Sequence, residues 1–119
     1  MYKRQIQQNG LKMKLHIIPV LKGASFIKEE ITKYTPLSHH LILHLDYHFG
    51  GYAKTSPELI SFIKNFTAKT GLLLDPVYTA KMFYAIQNLQ QQGIIGIDDK
   101  ILAIHTGGLM GLFGMKDKF

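Results

Sequence analysis

Two short segments of this chain combine polar side chains with tight turns, and both are candidates for chemistry. In the first, LDPVYTAKM, Pro76 sets a turn and places Tyr78 and Thr79 in the first turn of a following helix. A phenol beside a cationic group can exchange protons, although the pKa of free tyrosine is about 10. The alternative is a packed tyrosine whose hydroxyl is satisfied by a neighbour. This segment alone favours that alternative.

The second segment is ILAIHTGGLMG, where an apolar run gives way to His105, Thr106 and two glycines. Glycine lets a backbone approach a bulky ligand closely, and the threonine hydroxyl can donate or accept a hydrogen bond. Most sequences of this kind are only turns, so the motif is weak by itself.

Histidines recur in the segment HHLILHLDYHF, residues 39–49. As a helix, the segment would place His40, His44 and His48 on one face, where they could bind a metal. As a strand, it would leave these histidines partly exposed. The segment is short and ends at two glycines, which favours the strand, and no metal site is predicted.

The clearest helix signal begins at Thr55, which with Glu58 forms a possible capping box. Pro57 fits the first turn, and apolar residues repeat at helical spacing as far as Gly71, a left-handed stop. A second helix is predicted between Asp75-Pro76 and Gly93. Its predicted core face consists of Met82, Phe83, Ile86 and Leu89.

Besides residues 39–49, three further strand-like segments alternate with these helices, at residues 15–20, 72–74 and 101–104. Pro19 confines the first to a sheet edge or a strand end. A short helix capped by Ser25 should follow it, with Ile27, Ile31 and Tyr34 on one face. The alternation indicates an α/β domain with a largely parallel sheet and flanking helices.

Ligands in such sheets bind beyond the carboxyl ends of the strands. Because residues 75–81 and 105–111 follow two predicted strands, we expect both segments at the same edge of the sheet.

The composition is that of an ordinary globular domain. The 119 residues suffice for one domain, with 46% hydrophobic and 18% charged residues. No long apolar run or signal peptide is apparent and cysteine is absent, so we expect a cytoplasmic protein with no membrane association. The net charge of +6 is spread singly along the chain without an arginine-rich run, and no nucleic-acid partner is predicted.

Taken together, GGYAKTSPEL, LDPVYTAKM and ILAIHTGGLMG occur in the order and at the separations of one enzyme family. The chain resembles the C-terminal part of a pyridoxal-phosphate enzyme of the D-cysteine desulfhydrase / 1-aminocyclopropane-1-carboxylate deaminase family. The resemblance assigns residues 15–119 to that part of the enzyme, and upstream VLKGASFIKEEI extends it. Residues 1–14 would be an N-terminal extension or a truncation remnant.

The resemblance implies a type-II pyridoxal-phosphate fold, similar to the tryptophan synthase β subunit, with the cofactor held between two α/β domains. It assigns Tyr52 and Tyr78 to the substrate side as catalytic residues. It assigns Thr106, Gly107 and Thr79 to cofactor binding, with the threonines near the pyridine nitrogen. A small amino-acid substrate and a homodimeric full-length enzyme are also implied.

The two threonines bear on the activity. Family members that open the cyclopropane ring are expected to carry Glu and Leu at the positions of Thr79 and Thr106. A carboxylate keeps a ring nitrogen protonated, whereas hydroxyls leave a weaker electron sink. We therefore expect β-elimination from a D-amino acid such as D-cysteine, giving pyruvate, sulfide and ammonia. The deaminase activity is the alternative. Ala80 and Met110 also depart from the family pattern, at positions where glycine and a polar residue are expected.

The family's Schiff-base lysine and glycine-rich phosphate loop are expected upstream of the matched motifs. Lys54 and Lys81 lie in those motifs but do not match the Schiff-base position. The chain is therefore expected to be a fragment that is inactive alone. A different class stays open: a catalytically dead α/β module that binds a ligand or a partner.

Overall fold

Regular elements follow one another along the part of the chain that the computed structural model describes, residues 13–34 and 41–119. They are, in chain order, strand β1 (Leu15–Ile17), helix α1 (Ile27–Thr32), strand β2 (Leu41–Leu43), and helices α2 (Pro57–Thr70), α3 (Thr79–Gln91) and α4 (Met110–Gly114). Short 3-10 turns precede α1 at Ala24–Phe26 and follow α4 at Lys116–Lys118. The prediction of an α/β domain is confirmed at this level.

The sheet of the described region consists of β1 and β2, which pair in parallel with Leu15 opposite Leu41. The backbone N–H of His44 donates to the carbonyl of Ile17 at 2.9 Å and extends the pairing by one residue. Pro19 follows the end of β1, as expected for a residue that cannot donate to a ladder. Helix α1 makes the crossover that a parallel pair requires.

The wider parallel sheet was predicted wrongly. Residues 72–74 and 101–104 are not strands, because an extended segment becomes a strand only when a neighbour accepts and donates its backbone hydrogen bonds. Leu72 and Leu102 are also exposed rather than buried. Of the predicted strand at residues 39–49, only Leu41–Leu43 is a strand, and residues 39 and 40 lie outside the described region.

Helix α2 begins one residue later than the predicted cap. The Ser56 hydroxyl accepts from the N–H of Leu59 at 3.2 Å, so the N-cap is Ser56 and not Thr55. Pro57 explains the shift, because proline fits the first helical position and makes its predecessor the cap. The stop at Gly71 is confirmed, with φ 74° and its N–H donating to the carbonyl of Thr67 at 2.8 Å.

Helices α2 and α3 pack against each other around a small core. Its fully buried members are Leu59, Ile63, Leu74 and Ala80. Around them lie half-buried side chains, most of them aromatic: Phe49, Ile60, Phe62, Phe66, Phe83 and Tyr84. Leu89 is buried as predicted, whereas Met82, Phe83 and Ile86 are only half-buried. Helix α3 ends two residues before Gly93, whose φ is 74°.

Several large apolar side chains are exposed. Tyr34 was predicted to share a packed face with Ile27 and Ile31 but is 80% exposed, and Ser25 lies inside the 3-10 turn without capping α1. Ile97, Met110 and Phe113 are exposed as well.

Within residues 13–34 and 41–119, no helix has the length and apolar character needed to cross a bilayer.

Candidate functional site

One buried carboxylate organises the turn that leads into α3. Asp75 is 1% exposed. Its Oδ1 accepts from the N–H groups of Val77 at 2.9 Å and Tyr78 at 2.7 Å. Its Oδ2 accepts from the N–H of Thr79 at 2.9 Å and from the Thr79 hydroxyl at 2.7 Å. These bonds satisfy donors that have no intrahelical partner at a helix start. They also fix the backbone from which Tyr78 projects.

The hydroxyl of Thr79 lies within this turn. Besides donating to Asp75, it accepts from the Asp75 N–H at 3.0 Å, and the residue is 2% exposed. A hydroxyl has one proton to donate, and here the carboxylate takes it. The cofactor role of Thr79 stays a prediction, while its observed contacts hold the turn together.

The structure brings the two predicted catalytic tyrosines together. The Tyr78 hydroxyl donates to the Tyr52 hydroxyl at 3.1 Å, and the ring centroids lie 6.0 Å apart in an edge-to-face arrangement. Both side chains are about half exposed, at 46% and 55%. The hydrogen bond to Tyr52 raises the pKa of Tyr78 above its ordinary value, with smaller contributions from desolvation and from Asp75. In this arrangement Tyr78 keeps its proton and acts as a donor.

Tyr52 comes from a loop of unusual backbone conformation. Phe49, Gly50, Gly51 and Ala53 all have positive φ, between 54° and 128°. The Nζ of Lys81 donates to two carbonyls of this loop, those of His48 at 2.8 Å and Gly51 at 3.0 Å. From the sequence, Lys81 was stated only not to match the Schiff-base position and was given no role. Its position three residues after Tyr78, in the first turn of α3, is the signal that could have linked it to the site.

The two predicted site segments, residues 75–81 and 105–111, lie together as expected, but no sheet edge positions them. A Cβ added at Gly108 would lie 3.4 Å from Cγ of Asp75, and one at Gly111 would lie 3.5 Å from Cγ2 of Val77. The Nε2 of His105 is 2.9 Å from the carbonyl oxygen of Leu73. The second segment therefore rests on the Asp75 turn, and the positive φ of Gly108, 78°, is what favours glycine at this position.

The remaining predicted binding residues are Thr106 and Gly107, which directly precede Gly108 in the chain. The Gly107 N–H donates to Nδ1 of His105 at 3.1 Å. The Thr106 side chain is exposed, and within the described region its hydroxyl has no hydrogen-bond partner. Their roles at a cofactor stay predictions. Across residues 13–34 and 41–119, no three histidine or carboxylate side chains are grouped closely enough to hold a metal.

A second polar cluster was missed by sequence reasoning. It lines an open groove of about 640 Å³ between residues 43–49 and α3. In it, Tyr47 donates to Asn88 at 2.7 Å, and Tyr84 donates to Glu58. The bond to the Glu58 carboxylate raises the pKa of Tyr84 to about 12. His44 also lines this groove, and its ring stacks with that of His16, with His16 Nδ1 and His44 Nε2 2.8 Å apart.

The fold and the site define a small α/β domain that presents two tyrosine hydroxyls beside a glycine-rich turn. Comparisons with known proteins find relatives among enzymes of one kind. A putative 1-aminocyclopropane-1-carboxylate deaminase from Pyrococcus horikoshii is 45% identical over 73 residues, which is 61% of this chain and 22% of that protein. The Pyrococcus abyssi protein of the same description is 48% identical over 68 residues, or 57% of this chain and 20% of that protein.

A mitochondrial bifunctional D-cysteine desulfhydrase/1-aminocyclopropane-1-carboxylate deaminase from Arabidopsis thaliana is 41% identical over 69 residues, 57% of this chain and 17% of that protein. The predicted resemblance to this deaminase and desulfhydrase family is thereby confirmed over about 60% of the chain. The chain spans about a fifth of the length of these relatives. No family model and no solved structure matches it.

Proposed function

We propose that this chain carries the substrate-facing side of a pyridoxal-phosphate-dependent lyase that eliminates the β-substituent of a D-amino acid such as D-cysteine. The observation that supports this most is the hydroxyl pair of Tyr52 and Tyr78, 3.1 Å apart and accessible from solvent. A relative whose name includes D-cysteine desulfhydrase matches the chain at 41% identity. A small amino-acid substrate and a homodimer of the full-length enzyme belong to the same proposal.

The residues present fit one side of such a cofactor. The tyrosine pair and Gly108, the neighbour of Gly107, both adjoin the Asp75 turn, which supplies a rigid support. Lys81 does not fit covalent attachment, because its amine is fully buried and donates to two carbonyls. When bound, pyridoxal phosphate supplies a ring that stabilises negative charge on the carbon beside the substrate's amino group.

The chain's own residues would orient the substrate and hold a proton. The raised pKa of Tyr78 keeps the proton on its hydroxyl oxygen near neutral pH, so Tyr78 can donate to a substrate atom that gains negative charge. Without substrate, Tyr52 accepts the hydrogen bond from this hydroxyl. When Tyr78 donates to the substrate instead, Tyr52 would turn its own O–H toward the Tyr78 oxygen and hold it in position. Thr106 offers a neutral hydroxyl, which suits loss of a good leaving group better than opening of a strained ring.

The test is a graft of residues 43–119 onto the N-terminal part of a family desulfhydrase. We expect the chimera to release sulfide and pyruvate from D-cysteine. Tyr78→Phe should lower this rate by about 10²–10⁴ with little change in substrate binding, because it removes one proton-handling group. Tyr47→Phe is the matched control, since its hydroxyl bonds to Asn88 away from the pair. Equal losses in both variants would contradict the catalytic assignment.

The alternative activity is 1-aminocyclopropane-1-carboxylate deamination, favoured by the names of the two Pyrococcus relatives. Ammonia release from that substrate by a chimera that leaves D-cysteine intact would establish the alternative. Thr106→Leu with Thr79→Glu should shift the ratio of the activities toward ring opening. Because the Thr79 hydroxyl belongs to the Asp75 turn, Thr79→Ser is the control that keeps the turn. A soluble chimera inactive on both substrates would support the catalytically dead module.

A further inference from the structure

Lys81 is a buried cation that the chemistry above does not use. Its side chain is fully buried, and its Nζ lies 2.8 Å from the carbonyl oxygen of His48 and 3.0 Å from that of Gly51. Burial lowers its pKa, and the nearby Asp75 raises it in part. A buried ammonium is unfavourable unless acceptors replace its water. The two carbonyls are those acceptors, so the lysine and the loop depend on each other.

The loop that Lys81 contacts has a conformation that side-chain-bearing residues rarely adopt. Phe49 has φ 54° and Ala53 has φ 56°, on either side of two glycines that also have positive φ. Such backbone persists only where its surroundings hold it in place. The loop is made of two successive turns, in which Gly51 N–H donates to the His48 carbonyl and Lys54 N–H to the Gly51 carbonyl, each at 3.1 Å. Lys81 donates to the acceptor carbonyl of each turn.

Lys81 also connects the two halves of the tyrosine pair. Tyr52 lies inside the second of these turns, and Tyr78 precedes Lys81 by three residues at the start of α3. We propose that Lys81 is a positioning residue that sets the distance between the Tyr52 and Tyr78 hydroxyls by holding residues 48–54 against α3. This inference rests on the tyrosine pair of the proposed function, but its test needs no activity.

The test compares Lys81→Met with Lys54→Met in the 119-residue chain. Methionine keeps the length and the packing of Lys81 without its donors, and Lys54 is an exposed lysine of the same loop. In Lys81→Met, amide hydrogen exchange at Gly51 and Lys54 should accelerate by about tenfold or more, because the turns lose a shared partner. The pKa of Tyr78, followed by NMR of ¹³Cζ-labelled tyrosine, should fall toward 10, because the bond to Tyr52 is lost.

Lys54→Met should leave the exchange at Gly51 and the titration of Tyr78 as in the unmodified chain. Lys81→Gln keeps an N–H donor without the charge and should restore part of both readouts. A folded Lys81→Met variant with unchanged exchange and an unchanged Tyr78 titration would overturn the proposal.

Should Lys81→Met fail to fold, the ¹⁵Nζ signal of Lys81 in the unmodified chain decides. Slowly exchanging ammonium protons would support the two hydrogen bonds, and protons exchanging as fast as those of Lys54 would overturn them. If the graft onto the desulfhydrase is inactive while these readouts respond, the proposed activity fails and the positioning role stands.

Discussion

The Asp75 turn, residues 75–79, and the neighbouring segment 101–108 touch each other but are held in different ways. In the turn, one buried carboxylate accepts four hydrogen bonds from the three residues 77–79. In the segment, most side chains are exposed, and its observed side-chain bonds run through His105, to Leu73 and Gly107. The turn is held by its own residues, whereas the segment takes its position from contact with the turn.

The difference shows what a short polar motif can specify. An aspartate followed closely by backbone donors forms its structure locally, because all partners lie within four residues. A threonine followed by two glycines specifies only that the backbone can bend and approach closely. The position of Tyr78 is therefore fixed by the Asp75 turn, whereas the position of Thr106 depends on the tertiary contacts of segment 101–108.

The largest expected effect is that of Asp75→Ala. The change leaves three backbone N–H groups and the Thr79 hydroxyl without their acceptor. Since each unsatisfied buried donor costs about 1–3 kcal/mol and some will reach water, we expect the free energy of unfolding to fall by about 3 kcal/mol. Urea unfolding measures this loss. The control is Asp98→Ala, at an exposed loop position. Similar unfolding midpoints for the two variants would refute the local account of the turn.

A smaller effect is expected in the segment, where Gly107 and Gly108 allow a matched comparison. Their φ values are 85° and 78°, so alanine at either position meets a left-handed cost of about 1–2 kcal/mol. At position 108 the new Cβ would make an ordinary van der Waals contact with Asp75, at 3.4 Å; at position 107 nothing lies within 4 Å. Since neither methyl group meets a steric clash, we expect Gly107→Ala and Gly108→Ala to lose similar stability in urea unfolding. A much larger loss for Gly108→Ala would contradict this contact geometry.

The smallest expected effect concerns pH and the β1–β2 pair. Burial lowers the pKa of both His16 and His44. Lys14 lowers the pKa of His16 further and His16 lowers that of His44, while Asp99 opposes the shift of His16 and Asp46 that of His44. The unfolded chain therefore binds more protons between the folded pKa values and 6.5, so stability rises with pH through that window. The free energy of unfolding therefore decreases as the pH drops below 6.5, and the decrease is complete below the pKa values of the two histidines in the folded chain.

The Nδ1 to Nε2 hydrogen bond of the pair also requires one neutral acceptor, which protonation of both rings removes. Between about pH 7.5 and pH 5, NMR signals of the Ile17 and Leu43 amides should shift while those of Val77 and Thr79 stay constant. His44→Gln should flatten the response. Comparable shifts at Val77 would show that the turn is not independent of the strands.

Sequence reasoning succeeded where structure is local. Pro57 with Gly71 bounded α2, and Asp75-Pro76 marked the start of α3. The cap of α2 was missed by one residue because Thr55 and Ser56 are both good caps, and only the position of Pro57 separates them. The strands at residues 72–74 and 101–104 failed because an apolar run does not reveal whether a partner strand lies beside it.

The candidate site shows the same limit. The segments LDPVYTAKM and ILAIHTGGLMG were singled out by their residue types, but the site roles of Tyr52 and Tyr78 came from the resemblance to the enzyme family. The role of Lys81 was missed because its partners are backbone carbonyls, which carry no residue-type signal. The sequence predicted only that residues 75–81 and 105–111 lie at the same sheet edge. It could not predict that Gly108 contacts Asp75, since the side chains that contact a glycine are set by tertiary packing.

The most direct test of the central claim is a titration of Tyr78 in the unmodified chain and in Tyr52→Phe. The claim is that the Asp75 turn holds the Tyr78 hydroxyl against that of Tyr52, and the hydrogen bond is the largest cause of the raised Tyr78 pKa. NMR of ¹³Cζ-labelled tyrosine should give a Tyr78 pKa above 10 in the unmodified chain and a value closer to 10 in Tyr52→Phe. The same Tyr78 pKa in both proteins would contradict the account.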